Sequence, residues 1–129
     1  MAFGVNIQNK EKNLLCPMID ARRMEVYAAV YNQNLEEVLP VEARIIDDES
    51  FSDLLQNHKV VFFGDGAMKC RETFSGKVNA VFVDDFLNSA RDLSALAYKK
   101  FISKEFEDVA YFEPFYLKDF LATQPKAVK

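Results

Sequence analysis

Residues 14–31 read LLCPMIDARRMEVYAAVY. Two apolar runs, 14–19 and 24–31, flank a polar break at Asp20-Ala21-Arg22-Arg23. β-branched and aromatic residues fill the second run, and two such runs around a short polar break specify a β-hairpin. Pro17 lacks an amide hydrogen, so a bulge or an edge position is expected there. Asn32-Gln33-Asn34 makes the next turn, and 38–46 (VLPVEARII) supplies a third strand. After a polar leader of thirteen residues, the chain opens as a three-stranded antiparallel meander.

The period then changes. Ser50 is placed to cap a short helix through Leu54 and Leu55, because a serine hydroxyl accepts from the free N–H groups of a first helical turn. Val60-Val61-Phe62-Phe63 is wholly apolar, as suits a strand covered on both faces, and it ends in Gly64-Asp65-Gly66. A second short helix over 67–74 and a fifth strand over 78–83 follow. Leu87, Ala90, Leu93, Ala97 and Phe101 recur at three- or four-residue steps, predicting a long helix with one stripe on the sheet. Asp84, Asp85 or Asn88 is placed to cap it, and Lys99, Lys100 and Lys104 complement its dipole at the other end. Crossover strands must run parallel to a neighbour. The order therefore predicts an α/β, ribonuclease-H-like layout with a mixed five-stranded sheet, three strands antiparallel and two parallel.

Composition is that of one ordinary domain. Of 129 residues, half are apolar, 28% are charged, and only four are Gly and four Pro. Ordinary usage would give roughly 15 of those two types together, which excludes low-complexity and disordered readings. The net charge of −4 argues against autonomous nucleic-acid binding, whose footprint is a Lys/Arg excess. Cys16 and Cys70 are too few for a disulfide framework. The opening Met-Ala-Phe-Gly-Val has no basic stretch of the kind that starts a secretory signal. No apolar run reaches the ~18 residues of a membrane span. Free thiols in a soluble, cytoplasmic protein are the expectation.

The motifs of nucleotide, metal and serine-hydrolase sites are missing from the sequence: no Gly-x-x-x-x-Gly-Lys-Ser/Thr, Gly-x-Gly-x-x-Gly, His-Glu-x-x-His, Cys-x-x-Cys or Gly-x-Ser-x-Gly occurs. His58 is the one histidine, where a zinc site needs three or four ligands, so it reads as a surface residue. Gly64-Asp65-Gly66 has two readings. A strand ending in glycines and feeding a helix exposes backbone N–H groups to an anion; alternatively, Asp-Gly is turn chemistry with Asp65 capping the helix. Asp20, Ala21, Arg22 and Arg23 likewise offer either guanidiniums that grip a phosphate or an acidic surface, or a solvated turn with internal Asp–Arg pairs. Both candidates fall at one end of the sheet if the first strand is central. Cys70 stands between Lys69 and Arg71, whose charges would lower its pKa, or it is an ordinary structural cysteine. The tail 109–120 holds five aromatics, which either cover core or, through Phe115 and Tyr116, anchor a partner.

Three stretches, PMIDARRMEVYAAVYN (17–32), VVFFGDGAMKC (60–70) and VAYFEPFYLKDF (109–120), resemble in order the C-terminal half of the bacterial TsaB (YeaZ) family of threonylcarbamoyl-adenosine tRNA biosynthesis proteins. The resemblance runs from about Leu14 to Lys126 and implies one ribonuclease-H-like half of the actin-like ATPase fold. It implies that 14–129 is a C-terminal domain and 1–13 a connector from an N-terminal domain that is missing here. By the same likeness, Asp20, Ala21 and Arg22 fall at a phosphate-binding hairpin, and Gly64, Asp65 and Gly66 at an adenosine loop, both vestigial. The family implies a non-catalytic scaffold subunit with no cofactor or metal of its own. Its expected partners are the paralogue TsaD, which carries the metal and performs the transfer, and the ATPase TsaE. Those contacts, and self-association, are expected mainly through the N-terminal half, with tRNA contacted only indirectly. The alternative is an enzyme, either a glycoprotease-like peptidase or a nucleotide hydrolase.

Overall fold

The computed structural model describes residues 13–118. Five strands form one sheet in the order β3-β2-β1-β4-β5: β1 (Leu14–Asp20), β2 (Glu25–Tyr31), β3 (Glu37–Ile45), β4 (Val60–Phe63) and β5 (Ala80–Phe82). The β1–β2 and β2–β3 pairs are antiparallel, and the β1–β4 and β4–β5 pairs are parallel. This is the mixed, ribonuclease-H-like sheet that the order of runs predicts. Helix α1 (Ser52–Asn57) links β3 to β4, a 3-10 turn (Met68–Cys70) lies between β4 and β5, and α2 (Arg91–Ile102) follows β5. Of the expected connector 1–13, all but Asn13 lies outside the described residues, as does the tail from Asp119 onward, Phe120 included. Among the described residues no helix is long and apolar enough to cross a membrane.

The two faces of the sheet are unequal. Leu14, Cys16 and Met18 of β1 alternate with Leu15, as strand geometry requires, and face a core with Val26, Ala28 and Val30 of β2. Phe62 centres this inner core, its ring 5.0 Å from Phe74, 5.2 Å from Phe82 and 5.6 Å from Phe51. Leu15, Val61 and Phe63 make a smaller outer cluster with Tyr31, Leu35, Val83 and Phe86. All four residues of β4 are buried, as its apolar run predicts.

Four expectations need correction. Pro17 makes neither a bulge nor an edge: β1 is the central strand, and the register to β2 is unchanged from Leu15–Tyr31 to Met18–Ala28. The bonded positions on either side hold the strand, and Pro17 also pairs in register with Phe63 of β4. The irregularities lie in the β2–β3 pairing instead, between Ala28 and Tyr31, where the edge strand carries Pro40.

Ser50 does not cap α1. Its hydroxyl donates to Asp47 Oδ1 at 2.8 Å and accepts from the Asp47 N–H at 3.0 Å, closing a turn ahead of the helix. The hydrogen bond from Ser50 draws the Asp47 carboxyl below its ordinary pKa. The cap position falls to Phe51, left-handed at φ 59° with no side-chain bond.

The helix expected over 67–74 is reduced to the 3-10 turn. Three-residue backbone bonds dominate, such as Cys70 N–H to Ala67 O and Arg71 N–H to Met68 O, with a four-residue step from Phe74 N–H to Cys70 O, so no continuous α-helix forms. Cys70 and Phe74 are nevertheless both buried.

The long helix exists, but it starts at Arg91 and buries no residue. Its stripe does not face the sheet, because Phe86 packs edge-on against Phe63 at 5.0 Å and residues 115–118 border the outer face. Those residues border a groove of about 380 Å³ with Pro17, Ile19, Tyr27, Ala29 and Val41. None of the expected caps is used. Asp84 pairs with Arg71, Ala90 takes the cap position, and Ser89 Oγ accepts from the Arg91 N–H at 3.2 Å.

Candidate functional site

Because β1 and β4 are parallel neighbours, their carboxyl ends emerge together. That end of a parallel pair is where open α/β sheets place their ligands. Asp20 ends β1 there, Ala21, Arg22 and Arg23 turn into β2, and Gly64-Asp65-Gly66 leaves β4. The two sequence candidates are brought together.

The contacts between them are made by the chain itself. The Asp20 N–H donates to Asp65 Oδ1 at 3.2 Å, and the Gly66 N–H donates to the Met18 carbonyl at 3.1 Å. A Cβ at Gly66 would stand 2.8 Å from the Ile19 carbonyl carbon and 3.0 Å from the Asp20 nitrogen. Gly66 is thus required by the backbone of β1. Gly64 is left-handed at φ 102°, which turns the chain sharply at the end of β4. Asp65 caps no helix.

Asp20 is also engaged through its side chain. Lys69 Nζ donates to Asp20 Oδ1 and to the Glu25 carbonyl, the latter at 2.7 Å, and the Arg22 N–H donates to Oδ1 at 3.0 Å. The Lys69 hydrogen bond, then that of Arg22, holds the Asp20 carboxyl below its ordinary pKa. The cation paired with Asp20 is therefore Lys69, where the turn reading expects an arginine. Arg22 and Arg23 are exposed, with φ of 76° and 46°. Two consecutive left-handed arginines cost of order 1–3 kcal/mol each. Lys118 pairs with Glu25 at the start of β2 and ties residue 118 to the same end of the sheet.

The other candidates stay apart from this cluster. His58 is exposed where α1 ends, its N–H on the Leu54 carbonyl at 2.8 Å, at the amino end of β4 and so the opposite end of the sheet. Cys70 is not activated: burial, outweighing the Lys69 charge, pushes its pKa up, and its Sγ donates to the Gly66 carbonyl at 3.4 Å. Burial also raises Cys16. Both thiols are free. Phe115 and Tyr116 are largely exposed while bordering the outer groove. Among the described residues, no three His, Cys, Asp or Glu side chains gather to hold a metal ion. Lys69 as the partner of Asp20 and Lys118 as the partner of Glu25 are absent from the sequence reading. Separations of 49 and 93 residues leave no spacing signal.

With the sheet order and this end of it described, comparison with solved structures is informative. The fold is YeaZ-like. It is similar to the crystal structure of an uncharacterized protein from Pseudomonas aeruginosa, itself described by its similarity to the peptidase YEAZ. The TM-score is 0.63 at 20% identity, over 91% of this chain and 56% of that one. The present chain thus spans about half the length of its YeaZ-like neighbour. No family model and no curated protein matches the chain.

Proposed function

We propose that this chain is the C-terminal half of a non-catalytic scaffold subunit in the complex that installs threonylcarbamoyl on the adenosine next to the tRNA anticodon. Its partners are the TsaD paralogue and the TsaE ATPase. The ordered family-like motifs and the YeaZ-like fold support the reading. The observation that carries it is the closure of the candidate nucleotide wall on itself: Asp65 accepts from the Asp20 amide, and Lys69 takes the Asp20 carboxylate. A phosphate would have to break these contacts before meeting the loop. Nor do the two buried thiols with raised pKa values and the exposed His58 make a nucleophile–base pair.

The test is co-purification of the protein, as its gene encodes it, with its TsaD paralogue, together with tRNA modification in a deletion strain. Binding and loss of the modified adenosine are expected. Absence of binding with unchanged modification overturns the proposal. Peptidase and ATPase activity of the 129-residue chain is expected at background.

A further inference from the structure

The outer face of β1 and β2 carries an apolar groove that the described residues leave open. Ile19 and Tyr27 stand opposite each other in the β1–β2 register, and with Pro17, Ala29 and Val41 they line a cavity of about 380 Å³. Residues 115–118 border it without filling it: Ile19 stays 46% exposed, and Phe115 and Tyr116 are 77% and 78% exposed. Small-molecule sites run to roughly 300–1,000 Å³ and carry a few convergent polar groups. This groove is at the small end of that range and offers little polarity beyond the Tyr27 hydroxyl. It suits one or two apolar side chains better than a cofactor.

The chain itself supplies such side chains. Lys118 lines the groove and pairs with Glu25, so position 118 is anchored at the head of β2. Glu25, Tyr27 and Ala29 share a face, because side chains alternate along a strand. Tyr27 therefore lies about 7 Å from the anchor along β2, and Ala29 about 14 Å. Beyond the described residues the sequence continues Asp119-Phe120-Leu121-Ala122. At no more than ~3.6 Å per residue, Phe120 is held within about 7 Å of position 118 and Ala122 within about 14 Å. The rest reads Thr-Gln-Pro-Lys-Ala-Val-Lys, so 120–122 is the only run of three apolar residues after the anchor. So short a tether gives an effective concentration of about millimolar, at which even a weak apolar contact is populated within the molecule.

We propose that residues 120–122 turn back at Asp119 and close the outer groove, with the Phe120 ring on Ile19 and Tyr27. The groove is then a docking site occupied by its own chain and latched by the Lys118–Glu25 pair. A partner that approaches this face must first displace the tail. The proposal is independent of the scaffold reading, because its test follows this chain alone.

The sequence contains no tryptophan, so Phe120→Trp in the 129-residue chain introduces a single reporter. Its emission is expected at shorter wavelength, and its quenching by acrylamide severalfold slower, than in a Val128→Trp control. Val41→Glu in the groove and Lys118→Glu at the latch should each return the reporter toward the control, with far-ultraviolet circular dichroism unchanged. Without any tryptophan, Phe120→Ala should shift the methyl NMR signals of Ile19 and Val41 through loss of the ring current, and leave those of Met18 and Val30 in the inner core in place. A reporter as exposed as the control, insensitivity to both substitutions, or Ile19 and Val41 signals indifferent to Phe120→Ala overturns the proposal. Protection that grows with protein concentration, which puts the tail of a second copy in the groove, or that appears only when another protein is added, overturns it as well.

Discussion

The backbone N–H of Asp20 points at Oδ1 of Asp65, 3.2 Å away, and binds the end of the central strand to the loop that leaves its parallel neighbour. Residues 45 positions apart in the chain thereby satisfy each other at the place where such a sheet would receive a ligand. Lys69 closes the same corner from below, bridging the Asp20 carboxylate and the Glu25 carbonyl. The corner behaves as a structural joint.

If the joint holds the loop, Asp65→Ala should destabilise the fold by about 0.5–1.5 kcal/mol, the usual worth of one hydrogen bond. Asp65→Asn, which keeps an acceptor oxygen, should be close to neutral. Urea denaturation of the three proteins checks this, and equal stability of the alanine variant would remove the joint.

The Asp20 carboxyl should titrate below the ordinary aspartate value, because Lys69 and the Arg22 N–H favour its charged form. A depressed folded pKa contributes stability above the unfolded value, about 3.9. That contribution is lost as pH falls through the folded pKa. The side chain is half exposed, so the effect on stability is small and the titration is the better readout. Carboxyl carbon shifts followed by NMR should show a low midpoint for Asp20 that rises toward the ordinary value in Lys69→Met.

Gly66→Ala should cost about 1–3 kcal/mol by overpacking, since its methyl would press on the Ile19 and Asp20 backbone. Gly64→Val should cost a similar amount for a different reason, strain at φ 102°. Melting temperatures measured beside partner binding separate folding loss from binding loss. An unchanged melting temperature with unchanged binding would reduce Gly64 to an ordinary turn residue.

Cys16 and Cys70 should resist a thiol reagent in the native state and both react after denaturation, because each is fully buried and burial raises each pKa. Rapid native labelling of Cys70 would restore the idea of an activated thiol.

Strand positions were readable because periodicity is a local signal. The MEVYAAVY run and the VVFF run are apolar enough to demand burial whatever lies around them. What local signals could not supply was which contact wins. Ser50 has the chemistry of a cap, but Asp47, three residues earlier, competes for its hydroxyl. Leu93, Ala97 and Phe101 have the period of a core-facing helix, yet the outer face already receives Phe86 and the 115–118 strap. Pro17 argues for an edge, and the paired neighbours on both sides override it. At the sheet end, the meeting of Asp20 with Asp65 followed from the centrality of β1. The role of Lys69 did not, because nothing in its spacing points 49 residues back.

An NMR titration of the isotopically labelled chain with magnesium ATP probes the closed sheet end itself. The amide signals of Asp20, Ala21, Arg22, Gly64, Asp65 and Gly66 are expected to stay in place up to millimolar nucleotide. Saturable shifts confined to those six residues, at submillimolar concentration, would contradict a self-closed wall and return this end of the sheet to ligand binding.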